Sequence, residues 1–201
     1  MKEELRQLLA SRPRVAGSTN GTIPAAVLIP MFSCEGQYHI LFTRRTEALL
    51  KHSGQVAFPG GAFEVGDGSL LNTALRESYE EIGLPPSSIE ILGALDDTPT
   101  SSSGYLIYPF VGLIPWPFEF KLAPYETAEV FSVPSAALLD KNCCREEIRL
   151  REGKPQSVYY YQYQDRIIWG ATARILKQFL AVFGEAEKQA SPVLPPSPLS
   201  G

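Results

Sequence analysis

The sequence predicts an α+β domain with helices layered against a mixed β-sheet. Three observations carry that prediction. Short apolar runs recur between turn residues from Pro24 to Trp169. Two segments, 69–82 and 171–183, carry apolar residues at helical spacing. The chain has 201 residues, 44% of them hydrophobic and 20% charged, which is enough for one good core and short for two domains.

The elements follow in order. Residues 2–10 place Leu5, Leu8 and Leu9 on one side of a short amphipathic helix, and Arg12 to Gly21 reads as loop. Pro24 to Phe32 is apolar enough for a buried strand. Cys34 to Gly36 turns it into a second strand, Tyr38 to Thr43, giving a hairpin. A polar segment, Thr46 to Gly54, leads to a brief strand, Gln55 to Phe58, which Pro59-Gly60-Gly61 stops. Ser69 to Ile82 carries the clearest helix signals. Ser69 suits an N-cap, Gly83 suits the residue after the last turn, and Pro85-Pro86 forbids continuation. Ile89 to Leu95, Leu106 to Ile114 and Ala128 to Val133 read as strands, and Pro134 to Leu139 as a short helix.

Val158 to Gln164 and Arg166 to Trp169 form a hairpin around Gln164-Asp165. Within it Tyr159-Tyr160-Tyr161 alternates across the sheet, so at least one ring belongs in the core. His39, in a strand, reads as structural. Ala171 to Phe183 is a final amphipathic helix, with Ile175, Leu176, Phe179 and Phe183 on its apolar side. The stretch SPVLPPSPLSG is Pro/Ser-rich and expected to be disordered, giving one domain over 1–190 and a tail over 191–201.

Net charge is −4, which gives no basic surface for nucleic acid. No stretch approaches the roughly 20 apolar residues of a membrane span. Cys34, Cys143 and Cys144 make no disulfide framework and no zinc spacing, and the N-terminal residues lack the apolar run of a signal peptide. A cytoplasmic setting is therefore expected.

The acidic helix poses the functional question. A helix turns about 100° per residue, so Glu77 and Glu81 share a face and Glu80 adjoins it. Arg76 lies one turn before Glu80 and can hold that carboxylate. Leu71, Ala74, Leu75, Ser78 and Ile82 supply the buried stripe. Like charges four residues apart, near a helix C-terminus, oppose both each other and the macrodipole. A hard divalent cation, Mg²⁺ or Mn²⁺, would reverse both penalties. Alone, such a trio of glutamates reads as a solvated acidic face.

The context is more specific. Gly60-Gly61, Glu64, Asp67, Arg76-Glu77, Glu80-Glu81 and Gly83 together resemble the Nudix box, G-x5-E-x7-R-E-U-x-E-E-x-G-U, where U is bulky and apolar. Asp67 stands for the first glutamate, its gap to Arg76 is one residue longer, and Ser78 occupies the first U. Upstream, LFTRRTEALLKHSGQVAFPGG from Leu41 to Gly61 resembles the signature of the coenzyme A diphosphatase branch, as does IWGATARIL from Ile168 to Leu176. Leu50 stands where that signature has arginine, which keeps ADP-ribose, dinucleotides and nucleoside triphosphates open as alternatives. The resemblance covers most of residues 24–183.

The resemblance implies a Nudix α/β/α sandwich with a mixed sheet and a catalytic loop–helix–loop. It implies Mg²⁺- or Mn²⁺-dependent hydrolysis of the diphosphate of coenzyme A or its thioesters to 3′,5′-ADP and 4′-phosphopantetheine. Glu77, Glu81 and Glu80, with the Gly61 carbonyl, would bind metal. Arg76 would orient the glutamates, Glu80 or Glu126 would take a proton from water, and Glu64 and Asp67 would order the loop. Arg44, Arg45, Lys51, His52 and Gly60 would meet substrate. The partner expected is a small molecule, with a homodimer as an open option. A Nudix-fold binding module without catalysis is the remaining alternative, disfavoured because the glutamates are retained.

Overall fold

The computed structural model describes residues 1–46, 54–100, 103–151 and 153–190. The chain begins with helix α1 (Lys2–Ser11), which buries Leu5 and Leu9 one turn apart and carries Glu3 and Glu4 in its first turn, where the dipole favours them. Strands β1 (Ile23–Cys34) and β2 (Gln37–Arg45) then form the expected hairpin, pairing Cys34 with Gln37. Its two turn residues, Glu35 and Gly36, have φ of 52° and 77°, the positive pair that a tight hairpin turn requires. Next come β3 (Val56–Ala57), β4 (Gly60–Ala62) and helix α2 (Leu70–Ile82). Strands β5 (Glu90–Ala94), β6 (Thr98–Pro99), β7 (Tyr105–Leu113) and β8 (Thr127–Pro134) precede the short helix α3 (Ser135–Leu139). The chain continues through β9 (Cys144–Arg151), β10 (Lys154–Tyr163), β11 (Arg166–Trp169) and helix α4 (Gly170–Ala190).

The main sheet runs β3-β2-β1-β7-β5, with β4 on β1, β6 on β7 and β8 on β2. β1 and β7 are parallel and β1 and β2 antiparallel, so the sheet is mixed, as expected. A second sheet, β11-β10-β9, is antiparallel throughout.

Alternation along β1 builds the layers. Ile29 and Met31 join one core with α1 and α4; Ala26, Leu28 and Phe32 join a second core with Ala74 and Ile82 of α2. The sheet is thus sandwiched between helices; among the described residues α2 is the helix on the face that carries the acidic residues. Tyr161 is the buried member of the tyrosine run. His39 stacks on Phe32 at 5.2 Å between ring centroids, a structural place.

Several expectations are corrected. Gly60-Gly61 does not merely stop a strand: it forms β4, pairing with Val27 and Ala26 of β1. Strand β9 was not expected, because its charged residues hide the alternation. Helix α4 runs on to Ala190, beyond Phe183. Within α2 the buried set is Thr73, Ala74, Ser78, Glu81 and Ile82, so the acidic face is partly covered rather than solvated. The 191–201 tail lies outside the described residues. No helix among the described residues is long and apolar enough to cross a membrane.

Candidate active site

Helix α2 is fixed at both ends by local chemistry. The Ser69 side chain accepts a hydrogen bond from the Asn72 amide, and Gly83, at φ 71°, donates to the carbonyls of Ser78 and Tyr79. These caps fix the register of everything between them.

Asp67 is the anchor of the loop before the helix. Its carboxylate accepts from the Glu64 amide at 3.0 Å, the Thr73 hydroxyl at 2.7 Å and Arg76 Nε at 2.7 Å. That arginine, first among these partners, holds the Asp67 carboxyl far below the usual carboxylate range despite burial. Glu64 contributes its backbone on both sides, its amide donating to Asp67 and its carbonyl accepting the Asp67 amide at 2.9 Å. Arg76 then fans out. Its Nη1 reaches Glu77 at 2.9 Å and Glu80 at 2.8 Å, and its Nη2 donates to the Ala62 carbonyl at 3.2 Å. One guanidinium therefore ties the loop, β4 and two helix glutamates together, and these partners raise its pKa further. Thr73 was not singled out in the sequence; a hydroxyl on the buried side of the helix gives no signal until Asp67 is seen beside it.

Glu77 and Glu81 face β4. Glu81 is 4% exposed, and burial pushes its carboxyl up to about 8; Arg45 opposes the shift, while Glu77 and Glu126 add to it. It accepts the Gly60 backbone N–H, its Oε1 lies 3.9 Å from Arg45 Nη1, and its Oε2 is buried without a hydrogen-bond partner. Burial also raises Glu77, with Arg76 opposing and Glu80 and Glu126 adding. Gly61 abuts Glu77 so closely that a Cβ there would fall 2.7 Å from Oε2. An orphaned carboxylate oxygen, two carboxyls whose charged form burial disfavours, and bare backbone beside them are what a divalent cation would satisfy. Among the described residues no three Asp, Glu, His or Cys side chains already surround one point, and Arg76 holds Glu77 and Glu80.

The remaining candidates divide. Glu126 sits on an exposed turn whose amide bonds the Ala123 carbonyl at 3.0 Å and whose carbonyl accepts from Thr46 N at 3.0 Å. Its charge acts on both Glu77 and Glu81, so the structure brings it to the site. Arg45 reaches the site as well. Arg44 does not: alternation sends it to the other face of β2, where Nε pairs with Glu129 at 3.0 Å. Glu129 also takes Arg166, whose guanidinium lies 4.6 Å from the Phe131 ring centre. Lys51 and His52 lie outside the described residues. Gly60 meets the site through its N–H to Glu81.

Comparison with known proteins agrees with this geometry. The NUDIX domain family model matches residues 22–147. An uncharacterized Nudix hydrolase, NudL of Photorhabdus laumondii, is 42% identical over 154 residues, covering 77% of this chain and 81% of that protein. NudL of Citrobacter koseri is 37% identical over 173 residues, covering 86% and 89%. Among solved structures, a MutT/nudix family protein from Enterococcus faecalis superposes with TM-score 0.56 at 14% identity, covering 92% of this chain and 70% of that one. The Nudix hydrolase RenU of M. smegmatis gives 0.52 at 18%, covering 82% and 88%. At such identities these two speak for the fold.

Proposed function

This chain belongs to the Nudix family and is a diphosphatase of that class, and on that premise we propose that its substrate is coenzyme A or a coenzyme A thioester, cut to 3′,5′-ADP and 4′-phosphopantetheine or its acyl form. One observation carries the reading. The described ends of the Leu41–Gly61 block lie directly on the glutamate pair: Arg45 stands 3.9 Å from Glu81, and Gly60 donates its N–H to the same carboxylate. A segment similar to a coenzyme A signature thus adjoins the acids that would hold a cation.

Glu77, Glu81 and the Gly61 carbonyl, with Glu80 once released from Arg76, would hold Mg²⁺ or Mn²⁺. The chemistry supplied by such a cation is charge neutralisation at the diphosphate and acidification of a nearby water. The protein's own residues do the rest. Arg76 touches no substrate; it fixes the glutamates and, through Asp67, the loop. Arg45 meets the anionic diphosphate at the edge of β2. Glu126, exposed and within electrostatic reach of both buried glutamates, takes the proton of the attacking water, with Glu80 as the second candidate. Lys51 and His52 keep the role expected from the basic cluster before the glycines, neutralising phosphate charge, with His52 also matching the signature.

A product assay tests this. The protein is given coenzyme A, an acyl-coenzyme A, ADP-ribose and a dinucleotide, each with Mg²⁺ or Mn²⁺ and with a chelator control. The expected result is 3′,5′-ADP from the coenzyme A substrates, in preference to cleavage of the others and abolished by chelator. Faster cleavage of another diphosphate would overturn the substrate and keep the chemistry.

A further inference from the structure

The second sheet has one covered face and one bare face. Alternation sends Tyr159, Tyr161 and Ile168 into the core beneath it, and Tyr160, Gln162, Ile167 and Trp169 outward. Tyr160 pairs with Trp169 and Gln162 with Ile167, so the outward side chains stand in two rows across β10 and β11. Ile167 is 51% exposed and Trp169 44%. With Arg145 and Arg149 of β9, they line a hollow of about 660 Å³ that also takes in Asn142. The two guanidinium groups lie 4.9 and 5.7 Å from the Tyr160 ring centre. Glu147 pairs with both arginines, at 3.1 and 2.9 Å, so their charge is largely balanced and the hollow is no trap for an anion. It offers two aromatic rings, an aliphatic side chain and the indole N–H of Trp169.

An aliphatic hollow of about 820 Å³ lies between α3 and α4, lined by Leu139, Leu180, Ala181 and Gly184, and it extends to Glu187 and Lys188 near the end of α4. Leu139 connects the two hollows. Its Cδ2 lies 3.5 Å from the place of a Cβ on Gly184, and Asn142 follows it by three residues. Six helical residues from Gly184 to Ala190 cover about 9 Å, and three extended residues cover at most about 11 Å. Asn142, at the aromatic hollow, is therefore within roughly 30 Å of Ala190.

Ala190 is followed by SPVLPPSPLSG, with prolines at 192, 195, 196 and 198 and no charged side chain. Proline fixes φ and removes the amide donor, which favours the polyproline II conformation. Such a segment has unbonded carbonyls and little conformational entropy left to lose. Aromatic-lined grooves are its general receptor, with prolines packed on rings and a ring N–H meeting a carbonyl. At 3.1 Å per residue these residues span about 34 Å, enough to run from α4 across the aliphatic hollow to the aromatic one. We propose that residues 191–201 fold back onto their own domain, with Val193 and Leu194 in the aliphatic hollow and Pro195 to Pro198 on Tyr160 and Trp169. As a free peptide this segment binds with a dissociation constant on the order of 100 µM; the short tether supplies an effective concentration of about 1 mM, so it is docked about nine times in ten.

The chain has two tryptophans, which makes fluorine NMR of fluorotryptophan-labelled full-length protein a direct test. Trp116 stacks on Phe32 at 4.0 Å between ring centroids and serves as the internal reference. Pro195→Ser combined with Pro196→Ser should move the Trp169 resonance and leave that of Trp116 in place. Adding the free peptide SPVLPPSPLSG to this variant should return Trp169 to its wild-type position, half-saturating near about 100 µM, while the wild type responds about tenfold less readily. Conversely, Trp169→Ala should release the segment, and nitrogen relaxation at the Val193 and Leu194 amides should then report fast motion absent from the wild type. Circular dichroism verifies the fold of each variant. A Trp169 resonance indifferent to the proline substitutions, a peptide that does not saturate, or Val193 and Leu194 equally mobile with and without Trp169 would each overturn the proposal. A wild-type Trp169 resonance that shifts with protein concentration between about 20 and 500 µM would overturn it in favour of the same segment from a second copy. Equal peptide binding by wild type and variant would overturn it in favour of a proline-rich segment of another protein.

Discussion

Replacing Glu81 by glutamine separates the cost of a buried carboxylate from its use. The amide is isosteric and still accepts the Gly60 N–H, but it has no charge to bury. A carboxyl whose folded pKa lies above its unfolded one binds its proton more firmly in the native state. The metal-free native state is therefore favoured below the ordinary carboxylate value of 4.5, and that advantage is lost as pH rises to about 8. The gap between 4.5 and about 8 is worth up to about 5 kcal/mol, an upper bound because the site can relax and admit water. Urea unfolding in chelator at pH 5, 6.5 and 8 should show the wild type losing about 2–5 kcal/mol across the range, while Glu81→Gln loses much less and is the more stable protein at pH 8. Manganese should close much of that gap. At a hundredfold excess over its dissociation constant it stabilises the wild type by about 2.7 kcal/mol and the variant by little. Parallel decline of the two proteins with pH, or equal stabilisation by manganese, would refute both the burial argument and the ligand assignment.

Other perturbations probe the neighbours. Gly61→Ala should keep its fold, because the obstructing group is the mobile end of Glu77, yet lose most manganese affinity by calorimetry. Gly60→Ala should fail earlier, in stability, because its Cβ meets the backbone of β1, 2.7 Å from Val27 Cα. Arg76→Ala leaves the Asp67 carboxylate, 4% exposed, without its cation and should cost about 3–5 kcal/mol in urea unfolding; adding Asp67→Asn should recover part of it. Glu126→Gln should lower kcat by about 100-fold or more while leaving manganese affinity intact. An unchanged kcat would move the proton-accepting role to Glu80.

What the sequence made legible was what acts locally. Ser69 and Gly83 cap their helix through bonds to residues within five positions, so the helix and its glutamates could be placed before any tertiary contact was known. The glutamate pair was legible for the same reason, but the burial of Glu81 was not. That burial comes from Gly60 and Gly61, which read as chain breakers and instead form a strand because only a residue without Cβ fits between β1 and Glu77. Strand β9 escaped notice because arginine and glutamate occupy its outer face and Glu146 part of its inner one; the ladder with β10 supplies what its own apolar pattern lacks. Arg44 and Arg45 were grouped as one basic cluster by proximity in the chain, although a period of two sends neighbouring side chains to opposite faces.

That division of the Arg44-Arg45 dipeptide limits what length changes β2 can tolerate. Deleting one residue between Tyr38 and Thr43, with the hairpin turn kept, would slide Arg45 into the place opposite Glu129 and turn Thr46 toward Glu81. The deletion would remove a neutral residue, preserve net charge and leave both arginines in the chain, yet exchange the electrostatics of the two faces. Variation in chain length among descendants of this sequence should therefore collect in the loops and at the termini, while this stretch of β2 accepts substitutions far more readily than insertions or gaps.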